Sequence, residues 1–422
     1  MHQGIVVLAH QMLSMVEPIC SYAHSLGLKC YVVSSKPSRD VEASWSLAVD
    51  GYAVASAPSL NLKDVTTFIA TLPSNVDIAA CISVWDGYRT LMSDINKWLG
   101  APDISSEQVG LIRDKFTLRQ TLQQHGLSNV NAMLLTQDIA ETLSDKRRWF
   151  VKPVTGLASM GTFRATSLTG WEQLRTLWAT ARSDQNYAGV FSPQPNFMLE
   201  EYIDGTECSF EVLVAHGEQQ VLAVHEKVCV THAQNYVQEG ACVSPPISLS
   251  QEQRELGEQF VSSCISALKL DAGAYHIEAK CDNAGHWEVI EINPRIGGAY
   301  IVPSTTLLSG VNLLQAWIEQ LLGLPITHKS IGSERTFFRV YFGDAGKKVE
   351  SIGFNSNHFP PSETRLSVAK GSQLPHTERE IFLGQALWHD VSHLTNRELK
   401  TLVEQSTENL DLEYERENHC FA

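Results

Sequence analysis

The first clear pattern along the chain is a short apolar run, Ile5-Val6-Val7-Leu8-Ala9. A stretch with helical spacing over residues 15–26 follows it and is closed by Gly27, and then comes a second run, Lys29-Cys30-Tyr31-Val32-Val33. Continuous apolar runs suit strands buried on both faces, and two of them joined through a helix form a β-α-β unit. This opening predicts a doubly wound parallel sheet, extended by strands at 50–55 and 77–84 and a helix at 62–72. Gly100 to Ser105 makes a connector, and residues 106–124 form one helical stretch that stops before Gly126. Strands are then expected at 149–153, 162–165, 197–203, 208–214, 220–228, 274–279 and 287–292, with helices at 170–182, 251–268 and 311–322. From about residue 330 the segment Thr336–Phe342 opens a β-rich α+β region with a terminal helix near 395–407 and a loose tail from Glu413. The class is α/β, turning α+β in the C-terminal part.

Composition narrows the partners. The net charge is −15 over 422 residues, with 43% apolar and 19% charged positions, so the chain folds but offers no broad basic field for nucleic acid or anionic membranes. Nine cysteines are scattered without a C-x-x-C pair, which fits reduced thiols and argues against a zinc site or a disulfide framework. No apolar run is long enough to span a bilayer, and the start of the chain shows no signal-peptide pattern. The expected setting is cytoplasmic. No G-x-G-x-x-G follows the first strand, which disfavours a dinucleotide site there.

The most specific string is Glu288-Val289-Ile290-Glu291-Ile292-Asn293-Pro294-Arg295-Ile296-Gly297-Gly298. Residues of one parity share a strand face, so Glu291 and Asn293 point together and suit a hard cation such as Mg²⁺. Arg295 adds a planar fork for phosphate or carboxylate. Upstream, Ala274–Ala279 carries Glu278 on another strand, and the turn Asp282-Asn283-Ala284-Gly285 makes the two a hairpin in which Glu278 faces Glu291. Three further pieces precede it. Lys115 lies near the start of its helix. Lys152 ends the strand Phe150-Val151-Lys152-Pro153 before a loop over residues 155–161 that contains Gly156 and Ser159. The segment Met198-Leu199-Glu200-Glu201-Tyr202-Ile203-Asp204-Gly205-Thr206-Glu207 is extended. A strand lysine followed by a small flexible loop can hold polyphosphate through its charge and the loop N–H groups. Taken singly, such a lysine is usually solvated and such a loop merely connects; their order and spacing carry the signal.

With these strings the chain resembles the ATP-grasp superfamily of carboxylate–amine ligases, nearest to the bacterial L-amino-acid ligases that make dipeptides. The resemblance implies an N-terminal Rossmann-like domain (1–104), an ATP-grasp domain (105–330, with a small lid at about 130–203 and a large subdomain at 204–330) and a C-terminal α+β subdomain (331–422). It implies ATP and two Mg²⁺ ions as cofactors, with Mn²⁺ as the alternative ion. Lys115, Lys152, Gly156 and Ser159 would meet the phosphates. Glu201 and Ile203 would meet adenine through the backbone, with Glu200 close by, and Glu207 would bind the ribose. Glu278, Glu291 and Asn293 would hold the metal, and Arg295, Lys152 and the Gly297–Gly298 backbone would steady the reacting groups. Glu239, in a loop at 238–246, would hold a substrate ammonium, and Cys242 stands where similar enzymes carry a histidine. His276 shares the parity of Glu278 and is placed on the substrate side, with a satisfied core histidine as the other reading; His225-Glu226-Lys227 lies on a strand edge that is expected to be solvated, with the acceptor pocket as the alternative, and Asp86, at a strand end of the kind that can face a ligand, is expected in a structural role.

The activity implied is ATP-dependent amide formation between an amino-acid carboxylate and an amine, foremost that of a second amino acid, through an acyl phosphate. The alternatives are a ligase for another carboxylate and a non-catalytic ATP binder. Partners would be small amino acids or amines rather than nucleic acid or membrane, and a homodimer is common among similar enzymes.

Overall fold

The computed structural model describes residues 2–10, 15–35, 49–157, 159–184, 187, 190–232, 236–356, 359–377, 381–389 and 391–416. The N-terminal sheet is parallel, with β1 (His2–Ala9), β2 (Lys29–Ser34), β3 (Gly51–Val54) and β4 (Val76–Ile82) in the order β3-β2-β1-β4. Ile5, Val6, Val7, Leu8, Val32 and Ile82 are buried there, as the apolar runs require. The order reverses between β1 and β4, where open α/β sheets take ligands at their carboxyl ends.

A second sheet consists of β5 (Ala132–Leu135), β6 (Trp149–Pro153), β7 (Phe163–Arg164) and β8 (Phe197–Glu201), ordered β5-β8-β6-β7. The largest sheet takes β9 (Thr206–Ala215), β10 (Glu218–His232), β11 (Val237–Ser244), β12 (Gly273–Cys281), β13 (Trp287–Asn293) and β14 (Thr336–Phe342). After β15 (Val349–Phe354), it is completed by β16 (Glu363–Leu366) and β17 (Phe382–Trp388). Its order is β13-β12-β9-β10-β11-β14-β17-β16, and β15 pairs separately with β18 (Leu410–Tyr414).

Alternation along this sheet fixes which side chains reach the site. Phe210 and Val212 on β9, with Ile277 and Ala279 on β12, pack against Val261, Cys264 and Ile265 of the helix Gln251–Ala267. The opposite parity therefore presents Glu207, Ser209 and Glu211 on β9 and His276, Glu278 and Lys280 on β12 to the other face. The hairpin β12–β13 is antiparallel, with Glu278 directly opposite Glu291 and His276 opposite Asn293.

Several expectations need correction. Residues 106–124 are two helices, Ser106–Arg113 and Lys115–Gln124, because Asp114 takes an extended conformation and its carboxylate caps the second by accepting from Thr117 N–H at 2.7 Å. The predicted loop at 238–246 is largely strand β11. Cys20 and Cys30 are joined as a disulfide, since the helix Val16–Ser25 packs on β2 and brings their Cα atoms to 5.3 Å; the six other cysteines among the described residues are free. Helices Arg89–Leu99 and Ile301–Ser309 stand where no element was expected, although the first is clearly amphipathic. Ala158 within the expected phosphate loop, Cys420 and the end of the tail lie outside the described residues.

Candidate active site

A cleft opens between the second sheet and the polar face of the large one. It is lined by Lys115, Lys152, Gly156, Ser159, Glu200 and Glu201 on one side. Ile203, Glu207, Glu239, Glu278, Glu291, Asn293 and Arg295 line the rest. Four widely separated stretches of sequence thus share one wall-to-wall space.

Lys115 is the first residue of its helix, and its N–H donates to the carbonyl of Val154 at 2.9 Å, tying the helix start to the loop after β6. Its Nζ lies 2.9 Å from Glu291 Oε2. Lys152 is 3% exposed; its Nζ donates to Glu200 Oε2 at 2.6 Å and to the Ile290 carbonyl at 3.3 Å. Burial lowers the Lys152 pKa; Glu200 opposes this and Arg119 adds to it. Glu200 is buried as well, and Arg119 Nε donates to its other oxygen at 2.9 Å. Both of its oxygens are therefore committed to holding Lys152 and Arg119. Burial would raise the Glu200 pKa, but Lys152 and Arg119 hold it below the usual range. Arg119 reaches further, to Ser128 and Glu288 at 2.9 Å each and to the Val289 carbonyl, so it bolts the two sheets together.

The segment after β8 is partly engaged. The Glu201 N–H donates to the Asn131 carbonyl and that of Tyr202 to the Arg148 carbonyl, each at 2.8 Å, so neither amide is free for an adenine edge. The Ile203 carbonyl accepts from Lys280 Nζ at 3.3 Å. The Tyr202 ring, which sequence reasoning passed over, lines the cleft with Arg164 stacked 3.1 Å from its centroid.

At the metal hairpin, Asn293 Nδ2 donates to Glu291 Oε1 at 2.8 Å, which leaves its amide oxygen on the same side as the two carboxylates. Burial would raise the Glu291 carboxyl, but Lys115 beside it and the bonds from Lys115 and Asn293 hold it far below the carboxylate range. Glu278 accepts from Lys227 at 2.8 Å and meets His276 Nε2 at 3.2 Å. His276 Nδ1 bonds the buried Glu211 at 2.8 Å. Despite burial, which alone would lower it, Glu211 and Glu278 push the His276 pKa up to about 10, so this imidazolium is a fixed positive charge.

Lys227 is a second correction. Far from lying on a solvated edge, its side chain is 2% exposed and its Nζ sits 2.8 Å from Glu207, 2.5 Å from Glu239 and 2.8 Å from Glu278. His225 and Glu226 are buried too: His225 Nε2 bonds Ser304 Oγ at 2.7 Å, and Glu226 accepts from the N–H groups of Ile247 and Ser248. Glu239 lines the cleft, and burial raises its pKa to about 7 against the pull of Lys227. Cys242 does not reach the cleft. It lies beside Lys227 on β10 and Phe338 on β14 and packs with Tyr300, Ile301 and Leu387. Bulges in β10 around Cys229 disturb the spacing between positions 239 and 242.

Arg295 Nε donates to Asp86 Oδ2 at 2.7 Å, so Asp86, expected to be structural, reaches the site from the end of β4. Next to it, Arg89 Nε donates to the Pro294 carbonyl at 2.8 Å while its remaining nitrogens hold Asp103 and Ser93. Gly297 is needed for close approach, because a Cβ there would sit 2.8 Å from His276 Nδ1 and 2.7 Å from Ile301. At Gly298 a Cβ would meet open space, and its carbonyl accepts from Ile301 N–H at 3.2 Å.

The ATP-grasp domain family matches residues 148–303, which hold Lys152, Glu200, Glu207, Glu278, Glu291, Asn293 and Arg295. Residues 148–303 are an ATP-grasp domain. Human carnosine synthase 1 is 32% identical over 127 residues, 30% of this chain and 15% of the relative. The human propionyl-CoA carboxylase alpha chain is 25% identical over 234 residues, 53% of this chain and 31% of the relative. The chain thus spans only a minor part of the curated relatives it matches. Among solved structures, the L-amino acid ligase from Bacillus licheniformis superposes with a TM-score of 0.76 at 19% identity, covering 98% of this chain and 99% of that one. The biotin carboxylase domain of the Hydrogenobacter thermophilus 2-oxoglutarate carboxylase, in complex with MgADP, ADP and bicarbonate, gives 0.68 at 15% identity, covering 97% and 90%. The ATP-grasp fold expected from the motif strings is therefore the fold observed.

Proposed function

We propose that the protein is an ATP-dependent ligase that joins the carboxylate of an amino acid to an amine, foremost that of a second amino acid, through an acyl phosphate. The observation that carries this reading is the juxtaposition, in one cleft, of Lys115 and Lys152 with the carboxylate–amide set Glu278, Glu291 and Asn293 and with Arg295. The likeness to an L-amino acid ligase and to a stretch of carnosine synthase supports it.

Glu278 and Glu291 face each other across the hairpin with the Asn293 amide oxygen beside them, a hard oxygen set that fits Mg²⁺. Two Mg²⁺ ions held there would screen the phosphate charges. The chain's own groups do the rest by position and charge. Lys115 and Lys152 neutralise phosphate oxygens, and Glu200 with Arg119 keeps Lys152 in place. In the first step a substrate carboxylate oxygen bonds to the γ-phosphorus as the bond to the β,γ-bridging oxygen breaks and ADP departs. In the second, the amine nitrogen bonds to the acyl carbon, the C–O bond to phosphate breaks, and the amine proton leaves with the phosphate. Glu239 lines the cleft where it can receive a substrate ammonium.

The test is phosphate release from MgATP with single amino acids and all their pairwise mixtures, coupled to mass spectrometry. Release that needs a pair, with a product equal to their sum less water, is the expected result. Release supported by other carboxylates but by no amino acid would move the assignment to a different ligase, and no release with any of them would leave an ATP binder.

A further inference from the structure

Glu211 is a carboxylate that the reaction does not touch. It is fully buried on β9 and is not among the residues that line the cleft. Its Oε1 accepts from Ser209 Oγ at 2.9 Å and bonds His276 Nδ1 at 2.8 Å, and His225 Nδ1 stands 3.7 Å away. Its Oε2 is buried without a hydrogen-bond partner among the described residues. A buried charge with one oxygen unsatisfied is costly, and an apolar side chain of similar volume would serve the packing as well. The use of this carboxylate lies in what it holds.

The strand register shows what that is. Two neighbouring rows of side chains cross the large sheet. One row sets Glu291, Glu278, Ser209 and His225 side by side, and the next sets Asn293, His276 and Glu211 side by side. His276 thus stands between Asn293 and Glu211, and it reaches across to the first row, where its Nε2 meets Glu278 Oε1 at 3.2 Å. A ring with a carboxylate at each nitrogen donates from both, so neither N–H is left for a substrate. The loop after β13 closes on the ring, since a Cβ at Gly297 would sit 2.8 Å from His276 Nδ1. Lys227 holds the other oxygen of Glu278 at 2.8 Å. Each carboxylate oxygen keeps a second lone pair, so Glu278 remains able to meet a cation. The far side is anchored as well: His225 bonds Ser304 at 2.7 Å, and Ser304 bonds Thr336 at 2.6 Å, which ties this buried network to the helix Ile301–Ser309 and to β14.

We propose that Glu211 is a positioning residue for the metal hairpin, setting the carboxylate of Glu278 for Mg²⁺ through His276. The inference rests on the metal role given to Glu278 above and adds to it a buried residue that never meets the ion. It also moves His276 from the substrate side to the support of a metal ligand. Outer partners of this kind orient the ligands, and their loss costs roughly ten- to a hundred-fold in metal affinity or activity.

The experiment compares the full-length wild type with Glu211→Leu, Glu211→Gln and His276→Gln. Mn²⁺ is the probe, titrated in the presence of ADP with the free ion counted by electron paramagnetic resonance. Thermal melting and metal-free ADP binding are measured on the same samples. Glu211→Leu should weaken Mn²⁺ binding roughly ten- to a hundred-fold, and His276→Gln by a similar factor. Glu211→Gln should weaken it less, because its amide oxygen still accepts from His276. ADP binding without metal should be unchanged in all three. A role confined to the fold gives a different pattern, a lowered melting temperature with the Mn²⁺ constant of the folded protein unmoved, and that result overturns the proposal. A wild type that binds no Mn²⁺ with ADP overturns the metal reading of the hairpin itself, and the positioning role falls with it. Glu211→Gln and His276→Gln keep the test decisive where Glu211→Leu fails to fold.

Discussion

Replacing Lys227 with methionine keeps the length of the side chain and deletes the charge at the centre of three carboxylates. The carboxylate oxygens of Glu207, Glu239 and Glu278 lie within 4.8 Å of one another, and Lys227 is the cation common to all three. Removing one partner of a buried ion pair costs about 3–5 kcal/mol, chiefly because the other is left charged and unpaired. Lys280, 3.2 Å from Glu207, and His276, 3.2 Å from Glu278, remain to offset part of it, so about 3 kcal/mol is expected. The sign with pH follows. Without Lys227 the acids bind protons more readily in the folded protein than in the unfolded chain, where a glutamate titrates near 4.5. The penalty is then small near the unfolded pKa and becomes full as pH rises past the raised folded values. Urea unfolding followed by tryptophan fluorescence should therefore show a variant well below wild type at about pH 8 and close to it at about pH 5. Added Mg²⁺ should restore stability at the higher pH, since three converging carboxylate oxygens suit a hard cation. An equal loss at both pH values, unmoved by Mg²⁺, would show that Lys227 contributes packing and not counter-charge.

Three other outcomes follow from the same geometry. Glu291→Ala should abolish ADP formation, by roughly a hundred-fold or more as for other groups that stabilise developing charge, while circular dichroism stays that of the wild type; near-normal turnover would rule out the metal-hairpin assignment. Arg89→Met strands Asp103, which is 2% exposed at its side chain, and should cost about 3–5 kcal/mol in denaturant unfolding; the double variant with Asp103→Leu should recover much of it, and a double variant no better than the single one would refute the pairing argument. His10 is buried, stacked 4.3 Å from Trp85, and burial lowers its pKa to about 4. The unfolded chain thus binds more protons between about pH 6.5 and 4, so stability falls as pH drops through that window, by up to about 3 kcal/mol; His10→Phe should flatten that part of the curve, and an unchanged slope would remove His10 as its source.

Local pattern carried much of this fold because its main signals are local. Two-residue alternation put Glu278 opposite Glu291 and turned Asn293 to the same side, and the D-N-A-G turn joined their strands. Continuous apolar runs gave β1, β2 and β4. The same reading misjudged β10, where His225-Glu226-Lys227 looks like a polar edge. A strand in the interior of a mixed sheet can bury a polar face when that face is the site, and nothing within the strand announces it. The loop expected at 238–246 is strand for a related reason: Gly240 and the two prolines after Ser244 carry turn chemistry, whereas pairing with β10 and β14 supplies the ladder bonds that override it.

What stayed hidden is the set of ties between distant stretches. Arg119 and Glu200 are 81 residues apart, Arg295 and Asp86 are 209 apart, and Arg89 and Pro294 are 205 apart. Periodicity has no term for such pairs, so the groups that orient the site were invisible even where the groups that form it were plain. The distribution also separates their tasks. Lys115, Lys152, Glu278, Glu291 and Asn293 sit in recognisable strings because each string must place its own backbone. Arg119, Arg89 and Asp86 come from the N-terminal domain and the first helices after it, and they fasten those strings to one another. A substitution of Glu291 or Asn293 should therefore strike chemistry first, and one of Arg119 or Asp86 should act through the groups they hold, Glu200 with Lys152 and Arg295.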